Sequence, residues 1–292
     1  MIKQIIKILS ISIFILILAG CTLKAQETSV VTYSNMEVKT GGEINSAGRT
    51  VVELAAAKST VDNSVKSKQV KPLDGLTICI DPGHGKLTKK VKSSEPIAPG
   101  SRLMKAATAS GTTGVVTKIT EESLNLSVSL KLKKALTEKG AEIIMVRETI
   151  VCNMTNVERT EFWNKSGADL TIRIHANGSD DKRVAGVLMM VPGDKYIKDA
   201  DMLDKSTKAG KFIMEAVLNT TKAKSRGTVK STDLTGFNWS KIPVMLLEMG
   251  FMTNPEEDRL LNTEAYQTRI VNGIVDGVGK YYDYLKSQKN NK

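Results

Sequence analysis

The chain holds two histidines, His84 and His175, and each closes an apolar run. The first run reads Thr77-Ile-Cys-Ile-Asp-Pro-Gly-His84-Gly85 and the second Leu170-Thr-Ile-Arg-Ile-His175. A short apolar run ending in a Pro-Gly turn reads as a buried strand followed by a sharp loop. Two imidazoles at two strand ends suit zinc, whose preferred nitrogen ligand is neutral histidine. A catalytic zinc takes three protein ligands and keeps one position open for water. With no further histidine, the third ligand falls to a carboxylate, and Glu121 is a candidate. The same residue also reads as a carboxylate favoured by the first turn of a helix. Glu248 ends the apolar run Val244-Met-Leu-Leu247. A carboxylate there needs a partner or a task. It is either a salt-bridged structural residue or the base that a hydrolytic water requires beside a metal.

These side chains need strands and helices to bring them together. Ile143–Val146, Gly186–Val191 and Ile242–Leu247 read as further strands, and Glu121–Lys139, Val157–Lys165, Asp199–Leu218 and Thr263–Tyr284 as helices. In the first helix Leu124, Val128, Leu132 and Leu136 recur at helical spacing. Thr120 stands at its N-cap and Gly140 ends it. The stretch from Gly85 to Thr120 reads as a long loop that leaves directly from the His84 turn and borders the site. Strands alternating with helices predict an α/β domain over 75–288, a mainly parallel twisted sheet with helices on both faces. Such sheets place their chemistry at the carboxyl ends of the strands.

In chain order the sequence carries Asp81-Pro-Gly-His84-Gly85, Glu121 with Asn125-Leu126, Arg147, Arg159, Ala168-Asp169, Ile174-His175-Ala-Asn177 and Glu248-Met-Gly-Phe251 with Asn254-Pro255-Glu256-Glu257. Each motif is weak alone, but the ordered set resembles the zinc-dependent N-acetylmuramoyl-L-alanine amidases of the amidase-3 family. The resemblance covers about residues 75 to 285. It implies that His84, Glu121 and His175 bind one zinc ion and that Glu248 is the general base. It also selects Glu121 over Glu122, because Glu121 stands four residues before Asn125. The implied reaction is hydrolysis of the amide joining N-acetylmuramic acid to the L-alanine of the peptidoglycan stem peptide.

Arg173 departs from the family pattern, in which a small polar residue commonly precedes Ile-His. Strand alternation puts Arg173 on the same face as His175, where it either binds a substrate carboxylate or forms a salt bridge on the sheet. Asn177, Arg159 and Thr235–Trp239 are candidates for the groove or for support of the ligands. The long 85–120 loop could select substrate, dock an activating protein or shield the metal. Two other functions compete with the amidase. A zinc carboxypeptidase acting on stem peptides would use the same residue types, at a spacing that fits poorly. A non-catalytic peptidoglycan-binding lipoprotein would lack a ligand or Glu248, and all four residues are present.

Residues 1–20 read as a lipoprotein signal peptide. Lys3 and Lys7 precede the apolar run Ile8–Leu18, and Leu18-Ala19-Gly20-Cys21 resembles the lipobox after which the cysteine is lipidated. The competing reading is an uncleaved membrane helix. Residues 21–74 read as the lipidated cysteine and a flexible linker, which would span about 40 Å on average. These features predict a domain tethered to the outer face of the bacterial cytoplasmic membrane, facing the wall. The net charge of +11 suits an anionic wall polymer. No arginine-rich helix, aromatic RNA-binding signature or zinc-finger spacing appears, so nucleic acid is not an expected partner. Cys79 and Cys152 are expected to stay unpaired. Division, remodelling, sporulation and germination remain equally compatible roles.

Overall fold

The computed structural model describes residues 70–290. The expected signal peptide, Cys21 and all but the last residues of the expected linker lie outside the described residues. Leu73 is already buried, so packing begins just before residue 75.

The domain is built on a six-stranded sheet in the order β4-β1-β5-β8-β6-β7. Its strands are β1 (Thr77–Pro82), β4 (Glu142–Met145), β5 (Leu170–Asn177), β6 (Val187–Pro192), β7 (Ser225–Ser231) and β8 (Val244–Phe251). β4, β1, β5 and β8 run parallel. β6 pairs antiparallel with β8, and β7 pairs parallel with β6. Alternation sorts the central strands between two faces. Ile78, Ile80, Ile172, Ile174, Met245 and Leu247 enter the main core. There they meet Leu124, Val128, Leu132 and Leu136 of α1 (Glu121–Glu138), with α3 (Ala200–Thr221) and α6 (Glu264–Asn290) completing that layer. The opposite face carries Cys79, packed with Trp163 of α2 (Asn156–Asn164), and Leu246, packed with Phe237 of α4 (Thr235–Asn238). Asp81, Arg173, His175 and Glu248 share the parity of that second face, so the polar residues collect beside α2 and α4.

Several local features differ from the expectation. Pro82 does not stop β1 but is its last residue, paired with Ile174. The proline lacks a donor, and the next amide takes over: Gly83 N donates to Ile174 O at 2.9 Å. The 85–120 stretch is not wholly a loop, because it folds a two-stranded hairpin, β2 (Ser94–Pro96) with β3 (Met104–Ala106). Thr120 sits at the α1 N-cap position, but its side chain makes no capping bond. The Glu121 amide is instead met by Thr112 O at 2.9 Å. β7 is additional to the expected strands, because Ser-Arg-Gly-Thr-Val-Lys-Ser is almost wholly exposed at the sheet edge and has no apolar face to leave a pattern. The short helices α4 and α5 (Pro255–Leu261) are likewise additional to the expected elements. Cys79 and Cys152 are both free, as expected, and Cys152 is buried along with Cys79. Among the described residues, no helix is long and apolar enough to cross a membrane.

Candidate active site

His84, Glu121 and His175 converge at the carboxyl ends of β1 and β5 and the amino end of α1, with ligand atoms all within 4.8 Å of one another. Glu121 Oε1 lies 3.1 Å from His84 Nε2 and 3.1 Å from His175 Nδ1. The rings stand edge to face, 4.8 Å between centroids. Close backbone approach makes this possible. A Cβ on Gly83 would fall 2.3 Å from His175 Cε1, and one on Gly111 would fall 2.9 Å from Glu121 Oε2. The positive φ of His84, 57°, turns the chain sharply after β1.

Two of the ligand candidates, His84 and Glu121, are held from behind. His84 Nδ1 lies 2.8 Å from Ala109 O, which leaves Nε2 facing Glu121. Glu121 Oε2 accepts from Thr112 N at 2.9 Å, and Oε1 accepts from Asn125 Nδ2 and Ala176 N, each at 3.2 Å. The His84 turn is clamped by two arginines. Arg147 donates to Pro82 O, Gly83 O and Glu122 O. Arg159 donates to Pro82 O and His84 O and to Asp81 Oδ1 at 2.5 Å. Asp81 is fully buried and also accepts from Arg173 Nε at 2.9 Å, across the register that pairs the two residues. Arg173 therefore carries the salt bridge on the sheet, while its guanidinium also lines the cleft. Sequence motifs flagged Arg147, Arg159 and Asn125. Nothing in the sequence flagged the backbone of Ala109 and Thr112 or the small side of Gly111, because loop carbonyls and amides leave no residue-type signature.

Glu248 is the register partner of His175 on the neighbouring strand. Adjacent parallel strands with matched parity put the two side chains on one face, side by side. His175 Nε2 and Glu248 Oε2 are enclosed without a hydrogen-bond partner. Two such orphans beside one another are costly unless something occupies the space between them.

The electrostatics set the four groups apart. Burial alone raises the Glu121 carboxyl, but the hydrogen bonds of His175 and His84 outweigh it and hold the group far below the usual carboxylate range. Burial dominates at His175 and pushes its pKa down to about 4. At His84, burial is outweighed by the bond to Glu121, and the shift is upward. Burial and the charge of Glu121 push Glu248 up to about 8. Burial disfavours the Asp81 charge, yet Arg159 and Arg173 hold its pKa at about 2.

Two cavities meet at this cluster. The larger, about 440 Å³, has Glu121, His175, Asn177 and Glu248 in its wall and Lys105 and Asp233 toward its rim. The smaller, about 280 Å³, lies beyond His84 against Leu87, Cys152 and Met154.

Comparison with protein families matches residues 78–280 to Amidase_3, N-acetylmuramoyl-L-alanine amidase. The chain belongs to this family. The match spans every residue of the cluster and assigns the chain to hydrolases of the amide between N-acetylmuramic acid and L-alanine in peptidoglycan. YqiI of Bacillus subtilis is 27% identical over 74% of this chain and 90% of its own length. The N-acetylmuramoyl-L-alanine amidase LytC of the same organism is 26% identical over 91% of this chain, which spans 48% of LytC. The crystal structure of Ami1 from Mycobacterium smegmatis superposes with a TM-score of 0.64 at 21% identity, covering 73% of this chain and 99% of that one. The fold of this amidase is therefore shared.

Proposed function

We propose that this cleft cleaves the muramoyl-L-alanine amide with a zinc ion held by His84, Glu121 and His175, and with Glu248 as general base. The observation that carries the reading is the convergence of three ligand atoms within 4.8 Å beside the two enclosed, unpartnered atoms His175 Nε2 and Glu248 Oε2. Two imidazoles and one carboxylate are a donor set that suits zinc, with room left for water and substrate. A zinc ion bound there supplies an acidified water and polarises the scissile carbonyl.

The chain's own residues do the rest. Glu121 stays ionised, and His84 presents Nε2 because Ala109 O engages Nδ1. Glu248 takes a proton from the attacking water and returns it to the L-alanine nitrogen as the amide breaks. Its enclosure beside His175 keeps that proton acceptor out of bulk solvent and raises its basicity. Arg159 and Arg147 fix the His84 turn, so the ligand is placed by backbone as well as by side chain. Arg173 and Asn177 line the same cleft as substrate-contacting residues.

The reading extends to location. The Leu18-Ala19-Gly20-Cys21 motif supports lipidation of Cys21 and a tether to the outer face of the cytoplasmic membrane, where a basic domain meets an anionic wall. Wall remodelling, division and sporulation all fit this placement.

Digestion of purified peptidoglycan tests the reaction. The expected products are stem peptides with free L-alanine amino termini, with no new sugar reducing ends, and their release stops with EDTA and resumes with zinc. Release of a terminal D-alanine instead would refute the amidase reading in favour of a carboxypeptidase.

A further inference from the structure

The larger cavity contains two cationic side chains, Arg173 and Lys105. Arg173 is committed, because the fully buried Asp81 accepts from it at 2.9 Å. Lys105 is not. Its one ion-pair partner among the described residues is Asp233, at 3.8 Å, and the two side chains are 41% and 82% exposed. Such a pair is worth little, so a competing carboxylate displaces it at small cost. Glu95, opposite Lys105 in the hairpin, is taken up by the Val157 amide, which it accepts at 3.1 and 3.2 Å.

The scaffold holding Lys105 is firm. The β2–β3 hairpin is pinned by Trp239 Nε1 on Pro96 O at 2.9 Å, by Asn238 Nδ2 on Ile97 O at 3.1 Å and by Asn156 Nδ2 on Ala107 O at 3.0 Å. Ile97 beneath it is buried. Lys105 is thus a flexible side chain on a fixed mount, facing a cavity whose other ionisable residues include the acids Glu121, Glu248 and Asp233.

We propose that Lys105 is a specificity-determining residue that binds a carboxylate of the stem peptide, displacing Asp233, and so assigns the larger cavity to the peptide side of the scissile bond. The inference rests on the amidase reading and deepens it. The L-alanine carboxyl is itself in amide linkage. The nearest free carboxylate to the scissile bond is therefore that of the second stem residue, the γ-linked D-glutamate, and it is the group assigned to Lys105. Where that carboxyl is amidated in a wall, the contact is lost. Lys105 and Asp233 then make the enzyme discriminate between free-acid and amidated stems.

The test uses two N-acetylmuramoyl tripeptides that differ only in this carboxyl, one as free acid and one as primary amide. Their binding to the zinc-loaded full chain carrying E248Q is measured by calorimetry, and their cleavage by the chain with Glu248 intact. Lys105→Ala weakens binding of the free acid about five- to tenfold and that of the amide less than about twofold. Lys105→Arg keeps the preference. Asp233→Asn acts in the opposite direction and tightens the free acid, because the competing charge is gone. Equal losses for both tripeptides in Lys105→Ala, or an unchanged free-acid preference, overturn the proposal. If the chain with Glu248 intact cleaves neither tripeptide, the hydrolytic reading is what fails, and the binding ratio in E248Q still decides Lys105.

Discussion

Gly83→Ala tests whether the close approach of β1 to His175 is what assembles the site. The added Cβ would stand 2.3 Å from Cε1, 2.4 Å from Nε2 and 2.6 Å from Nδ1 of the His175 ring. Carbon atoms pack at roughly 3.5–4.0 Å, so relief requires a movement of more than about 1 Å. The obstacle is a ring rather than the tip of a flexible chain, and Ile172 and Ile174 hold its strand in the core. Gly83 itself cannot retreat easily, because its amide donates to Ile174 O and its carbonyl accepts from Arg147. The ring therefore yields, and it carries one of the proposed ligand atoms. A displacement of about 1 Å at a reacting centre costs roughly 100-fold in rate, and a metal site with disturbed support loses about 10–100-fold in affinity. The expected variant folds, with circular dichroism unchanged, but binds zinc at least tenfold more weakly and loses at least 100-fold in peptidoglycan hydrolysis. Zinc affinity is read by competition with a chromophoric chelator, and the thermal midpoint of the metal-free chain is measured in parallel. A variant that keeps both zinc affinity and activity would refute the packing argument. One that loses them only because it unfolds would move the effect from the site to the fold.

Two further substitutions probe the charges. Glu248→Gln keeps the shape and the zinc but removes the base, and hydrolysis falls by about 10²–10⁴-fold; undiminished turnover would place the base elsewhere. The same variant has a signature in metal-free protein. The Glu248 pKa is raised from 4.5 to about 8 by burial and by Glu121, so its contribution to stability is present below pH 4.5 and is lost as the pH rises through about 8. Denaturant titrations of the metal-free chain between pH 5 and 8 should show that loss, and Glu248→Gln should flatten it. Asp81→Asn leaves Arg159 and Arg173 buried without their shared anion, and costs about 3–5 kcal/mol of stability. A thermal midpoint equal to that of the unsubstituted chain would show that the network is dispensable.

The parts of the molecule that could be read in advance are those where residue type and period coincide. The α1 stripe of Leu124, Val128, Leu132 and Leu136, and the apolar runs that end at His84 and His175, each tie a chemical group to a predictable place on an element. The topology then makes the site nearly unavoidable. β1 and β5 are adjacent and parallel, so their carboxyl ends meet, and β8 follows in a register that sets Glu248 against His175. What could not be read is the support that comes from backbone. Ala109 O orients His84, Thr112 N holds Glu121, and Gly111 stands aside for both. None of these depends on a distinctive side chain, and all three lie in the stretch expected to be a long loop.

Arg173 shows the same boundary from the other direction. Alternation correctly placed it on the His175 face, but could not say whether it met a substrate or a neighbour. Pairing supplies the neighbour: β1 and β5 align Asp81 with Arg173, so the arginine meets a carboxylate one strand away while its side chain still lines the cleft. That pairing has a second consequence. Asp81 is shared with Arg159, which holds the His84 carbonyl, so one buried carboxylate links the strand bearing His175 to the turn bearing His84. The two histidines proposed as ligands, borne by different strands, are thereby referenced to a single anion in the protein interior. A buried charge network of this kind adds little to stability when intact and is costly when broken. Its position here fixes the strand bearing His175 relative to the turn bearing His84, and so sets the geometry of the two imidazoles proposed to bind zinc.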